Sequence, residues 1–249
     1  MSEKDDGISF GWGDEKKRPS EKIRKTYDPI PQDDFFTVFK DIFFFCFDVL
    51  LNALIIIGLV FLIRSYLISP FRVFGPSMCD SLNYIDGVCV NANGEYIIVN
   101  KILYRKFRNF QISPPKRGDI IVFHPPQNFE EFYIKRIIGL PGEKIEIRDG
   151  YVYLFNEINP KGIRLEEPYL NETNQGNTFV YGPNGIMSYE VPENSYFLLG
   201  DNRIKSSDSR FCFSNQGGCA PGDLPYLPFE NIEGKAWISL WPIASSRIL

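Results

Sequence analysis

The chain has 249 residues, 23% of them charged, and a net charge of −4. That length is enough for a membrane segment plus one or two small domains with a sizeable core. Acidic and basic residues are interspersed, so no basic field argues for nucleic acid, and no nucleic-acid partner is expected.

In chain order, residues 1–34 are rich in charges, Gly and Pro and poor in apolar periodicity, which reads as a mobile tail. The polar N-terminal segment is drawn to residue 41. Phe43–Ile63 then reads FFFCFDVLLNALIIIGLVFLI, with Asp48 as its one charge. A span needs about 20 mostly apolar residues, so a transmembrane helix is expected over 42–64. No polar face recurs at helical spacing, which argues against a buried core helix. No small-x-small site follows before RSYLISPF, and the stretch starts far into the chain, which argues against a cleaved signal peptide. Lys22, Arg24, Lys25 and Lys40 precede the span, and only Arg64 and Arg72 follow closely. Positive-inside counting therefore puts the N-terminus inside and the body, 65–249, outside.

From about Pro70 the texture changes to short apolar runs such as GEYIIVN, GDIIVFHPP and KAWISLW, broken by Gly, Pro and Asn. Branched and aromatic residues dominate these runs, so the body should be mainly β. In EKIEIRDGYVYLF, Asp149-Gly150 marks a two-residue hairpin turn. Residues 151–195 are poorer in apolar runs and read as an inserted, loop-rich subdomain. The basic cluster Lys101, Arg105, Lys106, Arg108, Lys116 and Arg117 reads as a solvated face, with lipid headgroups as its alternative contact.

Of the five cysteines, Cys212 and Cys219 enclose a Gly-rich loop and form the first candidate disulfide if the body faces an oxidising space. Closing so short a loop would contribute about 2.5 kcal/mol by chain entropy. Cys79 and Cys89 form the second candidate. No paired knuckles or His pair suggest zinc, so no metal is expected.

Three segments could carry chemistry. GPSM holds Ser77. YIKRIIGLPG holds Lys135, with Tyr133 and Ile137 on the same strand face. If that face turns inward, desolvation lowers the lysine pKa, and a neutral lysine can act as general base toward a serine. If it turns outward, Lys135 is a solvated strand lysine beside Arg136. GDNRIKSSDSR packs turn formers, charges and hydroxyls into residues 200–210. There Asp208 with Arg210 or Arg203 suggests an internal ion pair.

Taken together and in this order, with RGDIIVF at 117–123 between the first two, these segments resemble the bacterial type I signal peptidases, Ser–Lys endopeptidases that remove signal peptides from exported proteins. The resemblance runs from the span nearly to the C-terminus. It implies a membrane-anchored, antiparallel β-sheet catalytic domain with a smaller inserted β subdomain, on the outer side of the plasma membrane. Ser77 would be the nucleophile, with its own N–H as one oxyanion donor. Lys135 would be the base, and Ser206 would hydrogen-bond it. Asp208 and Arg210 would buttress the site, with Asp201 and Arg203 as further support. Met78, Leu82, Tyr133 and Ile134 would line the pocket for the residue before the cut. Phe71, Val122 and Ile134 would line the pocket for the third residue before it, giving an Ala-x-Ala preference. Signal peptides of exported preproteins and the lipid bilayer, against Phe71 and Phe74, would be the partners. No cofactor is implied.

This chain departs from the family pattern in SMCDSL, where Asp80 and Ser81 stand for a Pro-Thr pair. Gly75 stands where some members place a serine that supplies a second oxyanion donor, and Pro76 has no N–H to offer. A sortase-like reading needs Cys, His and Arg together. The single histidine, His124, could serve it only with Cys212, and the three segments would then be unexplained. An inactive anchored module that binds exported chains is the non-enzyme alternative.

Overall fold

The computed structural model describes residues 35–249 except 80, 86, 93, 108–109, 182–184 and 215–217, with backbone alone at 106, 107, 110 and 111. The tail read over 1–34 and the charge of Asp80 lie outside the described residues. The chain divides into two units, one ending at Ala53 and one running Leu54–Leu249. Both sheets and the candidate site belong to the second.

Helix α1 runs Phe35–Leu62 and passes into a π-turn at Ile63–Leu67. It starts before the expected boundary because Lys40 and Asp41 end the apolar run without breaking helical geometry. None of its residues is buried, and it is long and apolar enough to cross a membrane. Asn52 Nδ2 donates to the Asp48 carbonyl at 2.8 Å, so this polar side chain is satisfied within the helix.

The strands are β1 (Ile68–Arg72), β2 (Tyr84–Ile85), β3 (Val88–Cys89), β4 (Tyr96–Asn100), β5 (Lys106–Phe107), β6 (Phe110–Gln111), β7 (Ile120–Phe123) and β8 (Tyr133–Gly139). They continue with β9 (Lys144–Arg148), β10 (Tyr151–Phe155), β11 (Ile163–Arg164), β12 (Met187–Glu190), β13 (Ser195–Leu199), β14 (Leu227–Pro228), β15 (Ile232–Trp241) and β16 (Arg247–Ile248). The larger sheet has the order β1-β4-β15-β7-β8-β13-β14, with β16 on β15. The smaller has the order β11-β10-β9-β12, and β2–β3 and β5–β6 are separate ribbons. Every pairing is antiparallel. The architecture is mainly β, as the sequence pattern implies.

The expected hairpin forms between β9 and β10. Asp149 and Gly150 both have positive φ, at 52° and 78°, as a primed turn requires. A Cβ on Gly150 would meet the Gly176 carbonyl oxygen at 1.8 Å, so only glycine fits. The smaller sheet takes in β9, which precedes residue 151 and lies between β10 and β12.

Strand β7 explains its unbroken apolar run. Ile120 and Val122 enter one core cluster with Val73, Met78, Leu82, Ile97, Val99 and Ala236. Ile121 and Phe123 enter another, with Ile137, Tyr196, Leu198 and Phe213. Fully burying side chains of this size stabilises the fold by about 1.5–3 kcal/mol each. A third cluster, including Ile138, Ile145, Val152 and Phe197, joins the two sheets.

Candidate active site

The site is built where the turn after β1, strand β8 and the loop 200–210 converge. Gly75, with φ 81°, reverses the chain after β1, and its N–H donates to the Asn91 carbonyl at 3.0 Å. A tight turn follows, with Cys79 N–H on the Pro76 carbonyl at 3.0 Å and Leu82 N–H on the Met78 carbonyl at 2.8 Å. Met78 and Leu82 plunge into the core beneath, which leaves Ser77 at the surface of a cleft. From the far side, Asn202 N–H bonds the Ser77 carbonyl and Asn202 Nδ2 bonds the Pro76 carbonyl, both at 3.0 Å. Among the described residues the Ser77 N–H takes no partner.

Lys135 comes from the middle of β8 and is 4% exposed. Its Nζ donates to Ser77 Oγ at 2.8 Å and to the Ile134 carbonyl at 2.9 Å, and lies 5.5 Å from the Tyr133 ring centre. The inward orientation left open by the sequence is the one adopted. Desolvation lowers the lysine to about 8, against the opposing pull of the Asp208 and Asp201 carboxylates.

Ser206 is placed differently from what the resemblance implies. The Lys135 ammonium donates to Ser77 and Ile134, and Ser206 Oγ is buried without a hydrogen bond of ordinary geometry. It packs on Gly200, where an added Cβ would meet Ser206 Oγ at 2.1 Å and the Ser77 carbonyl oxygen at 2.5 Å. It lies near enough to Asp208 to act on that carboxyl. Burial pushes Asp208 up, but the Arg210 charge and hydrogen bonds, the Gly200 N–H and the Ser206 hydroxyl outweigh it and hold Asp208 below the usual carboxylate range.

The ion pairs sort themselves as follows. Asp208 takes Arg210, with Nε–Oδ1 and Nη2–Oδ2 both at 2.9 Å. Arg203 instead pairs with Glu167, and its Nε bonds the Gly200 carbonyl at 3.0 Å. Asp201 takes Arg136, the neighbour of Lys135. Arg136 also reaches Ser81 Oγ at 3.0 Å and the Gly118 carbonyl at 2.7 Å, so one side chain ties three segments around the site.

A cleft of about 380 Å³ opens over Ser77 and Lys135. Phe71, Val122, Tyr133 and Ile134 line it, and so do Val73, Ile97 and Phe132. Met78 and Leu82 do not. They are 1% and 0% exposed and pack in the cluster behind the cleft, because the turn at 76–82 needs apolar anchors. Two disulfides form, Cys212–Cys219 and Cys79–Cys89.

Sequence reasoning does not find Asn202, Arg136 or a buried polar group behind the turn. In that group Asn83 N–H donates to Glu95 Oε1 at 3.1 Å, Glu95 N–H to Asn83 Oδ1 at 2.8 Å, and Ser239 Oγ to Glu95 Oε2 at 2.6 Å. Asn83 has φ 63°, a value that asparagine tolerates better than most residues.

Residues 46–241 match the family described as signal peptidase, peptidase S26. Among similar proteins is a signal peptidase I of Leptolyngbya laminosa, 36% identical over 154 residues, covering 59% of this chain and 60% of that protein. A signal peptidase I of Rickettsia typhi is 31% identical over 230 residues, covering 74% and 77%. The chain thus spans about three fifths of the first relative's length and over three quarters of the second's. A crystal structure of a signal peptidase I from Enterococcus faecalis is 31% identical and superposes with a TM-score of 0.36, over 49% of this chain and 97% of that one. By the extent of the family match, this chain belongs to the peptidase S26 family of signal peptidases.

Proposed function

We propose that the protein is a membrane-anchored serine endopeptidase that removes signal peptides from exported preproteins. The observation that carries this reading is the 2.8 Å contact between Lys135 Nζ and Ser77 Oγ, with the lysine buried and its pKa lowered to about 8. At pH 7 about a tenth of such a lysine is neutral, against fewer than one in a thousand for an ordinary one.

The neutral amine takes the Ser77 proton as Oγ attacks the scissile carbonyl. The unpartnered Ser77 N–H is the donor available to the oxyanion, while the Gly75 N–H is already engaged by Asn91. The resulting ammonium protonates the leaving amine, and water then releases the acyl group by the same base. Asp208 and Arg210 fix the loop that carries Ser206, and Asp201 fixes β8 through Arg136. Arg203 and Ser206 hold Gly200 against the Ser77 carbonyl.

The cleft walls of Phe71, Val122, Tyr133 and Ile134 suit small apolar residues, which is the reading behind an Ala-x-Ala cut site. The apolar helix anchors the chain, and the charge count around it favours an inner N-terminus and an outer body. Phe74 is 63% exposed at the cleft, which supports a reading in which it meets the bilayer surface.

The test is cleavage of a purified preprotein with an Ala-x-Ala site, in detergent, by the wild type, Ser77→Ala and Lys135→Ala. Cutting after the second Ala by the wild type alone is expected. A Ser77→Ala protein that processes at the wild-type rate would overturn the reading.

A further inference from the structure

The Cys79–Cys89 disulfide is the covalent bond nearest the nucleophile that sequence neighbours do not supply. Cys79 lies two residues after Ser77 and is fully buried, and its N–H closes the turn on Pro76. Cys89 lies on the exposed strand β3. The bond therefore ties the inner face of the Ser77 turn to an outer ribbon, across a sequence separation of ten.

Among the described residues, the ribbon is otherwise held by Val90 N–H on the Asn83 carbonyl at 2.9 Å, Gly75 N–H on the Asn91 carbonyl at 3.0 Å, and its own short pairing. Strands β2 and β3 pair over only two residues each, Tyr84 with Cys89 and Ile85 with Val88. Tyr84 and Val88 are exposed, so the ribbon buries little apolar surface of its own. A two-stranded ribbon this short is not stable in water by itself. The segment between the cysteines also carries Leu82 and Asn83. Leu82 anchors the turn in the core, and Asn83 Nδ2 bonds the Val73 and Gly75 carbonyls at 3.3 and 3.1 Å.

We propose that Cys79 and Cys89 are positioning residues, whose disulfide holds Ser77 on Lys135 and makes the rate of the reaction depend on the redox state of the surroundings. This rests on the peptidase reading given above. A dithiol reductant would supply the two electrons and two protons that convert the bond to two thiols, itself becoming a cyclic disulfide. Cys89, the exposed residue of the pair, is the side from which a thiolate would approach. The open form keeps the sheets, which the bond does not cross, and loosens the turn from 76 to 89.

The experiment uses the full chain in detergent with Cys212→Ser and Cys219→Ser, so that one disulfide remains. Preprotein cleavage is followed before and after dithiothreitol, and again after reoxidation. The expected result is a fall in kcat of tenfold or more, with KM within twofold and recovery on reoxidation. The far-ultraviolet circular dichroism should stay unchanged. Amide hydrogen exchange at residues 77–83 should speed up, a readout independent of cleavage. Cys79→Ala/Cys89→Ala should be equally slow and indifferent to reductant. Full activity in the reduced protein would overturn the proposal and leave the peptidase reading standing, as would a loss that appears only together with global unfolding. An oxidised protein that does not cut at all would sink the peptidase reading, and unchanged exchange at 77–83 on reduction would sink the positioning role separately.

Discussion

Arg136 grips Asp201 with two hydrogen bonds, Nε to Oδ1 at 2.9 Å and Nη2 to Oδ2 at 2.6 Å. The aspartate side chain is fully buried and the arginine nearly so. This pair joins β8 to the 200–210 loop one residue from Lys135, and it therefore sets Lys135 against the turn that carries Ser77.

Removing one partner of such a pair strands a buried charge, at a cost of about 3–5 kcal/mol. Asp201→Ala should therefore lower the thermal midpoint of the full chain in detergent markedly. Arg136→Met combined with Asp201→Leu should cost less than the sum of the single changes. Additive losses would show that the two side chains are not coupled.

Lys135 sets two pH dependences that run in the same direction. Activity needs its neutral form, so kcat/KM should rise with pH along a limb centred near 8. A limb below pH 6 would mean that another group is the base. For stability, the folded pKa lies below the ordinary 10.5, so between about 8 and 10.5 the unfolded chain binds a proton that the native chain lacks. Stability attributable to this residue should rise with pH across that window and be least below it. Lys135→Met removes the buried charge at similar length. It should abolish cleavage while raising the thermal midpoint at pH 7, an effect that fades toward pH 10.

Gly200→Ala should slow the reaction with little change in KM. The new Cβ would sit 2.5 Å from the Ser77 carbonyl oxygen and 2.1 Å from Ser206 Oγ, so the nucleophile's peptide must move. A tenfold or greater fall in kcat is expected. Gly58→Ala, with nothing within 4 Å of its added Cβ, should be silent in the same assay.

Met78 and Leu82 should separate stability from specificity. Truncating either to Ala opens a cavity in a packed cluster and should cost about 2–5 kcal/mol. The size preference for the substrate residue before the cut should be unchanged. Ile134→Ala, at the cleft wall, should do the reverse and admit larger residues at the cut site. Preprotein variants carrying Ala, Val or Leu before the cut would read both effects.

Much of the fold is legible in the sequence because its signals are local. The Asp149-Gly150 turn is marked by two adjacent residues, and the apolar helix by a single charge in twenty-one residues. Lys135 stands out as a candidate only through the ordered set of segments around it, because its strand face, shared with Tyr133 and Ile137, could turn inward or outward. The partners of the charged groups are not legible in this way. Arg136 and Asp201 stand 65 residues apart, and nothing local distinguishes Arg136 from a solvated strand arginine. Arg203 reads equally well as a partner for Asp208 until Glu167 arrives from the smaller sheet's side of the chain. Met78 and Leu82 show only that they are apolar. Whether they face the cleft or the core is decided by the handed turn that Gly75 starts.

Strand β15 has a consequence for the order in which this protein can be assembled. It is nearly the last strand in the chain, yet it lies between β4 and β7. The strands that flank the serine's turn, β1 and β4, are on one side of it, and the strands that carry and support the lysine, β7 and β8, are on the other. During synthesis the two halves of the sheet share no strand pairing until residues 232–241 have emerged. A growing chain would thus carry Ser77 and Lys135 on separate pieces of sheet until residues 232–241 join them.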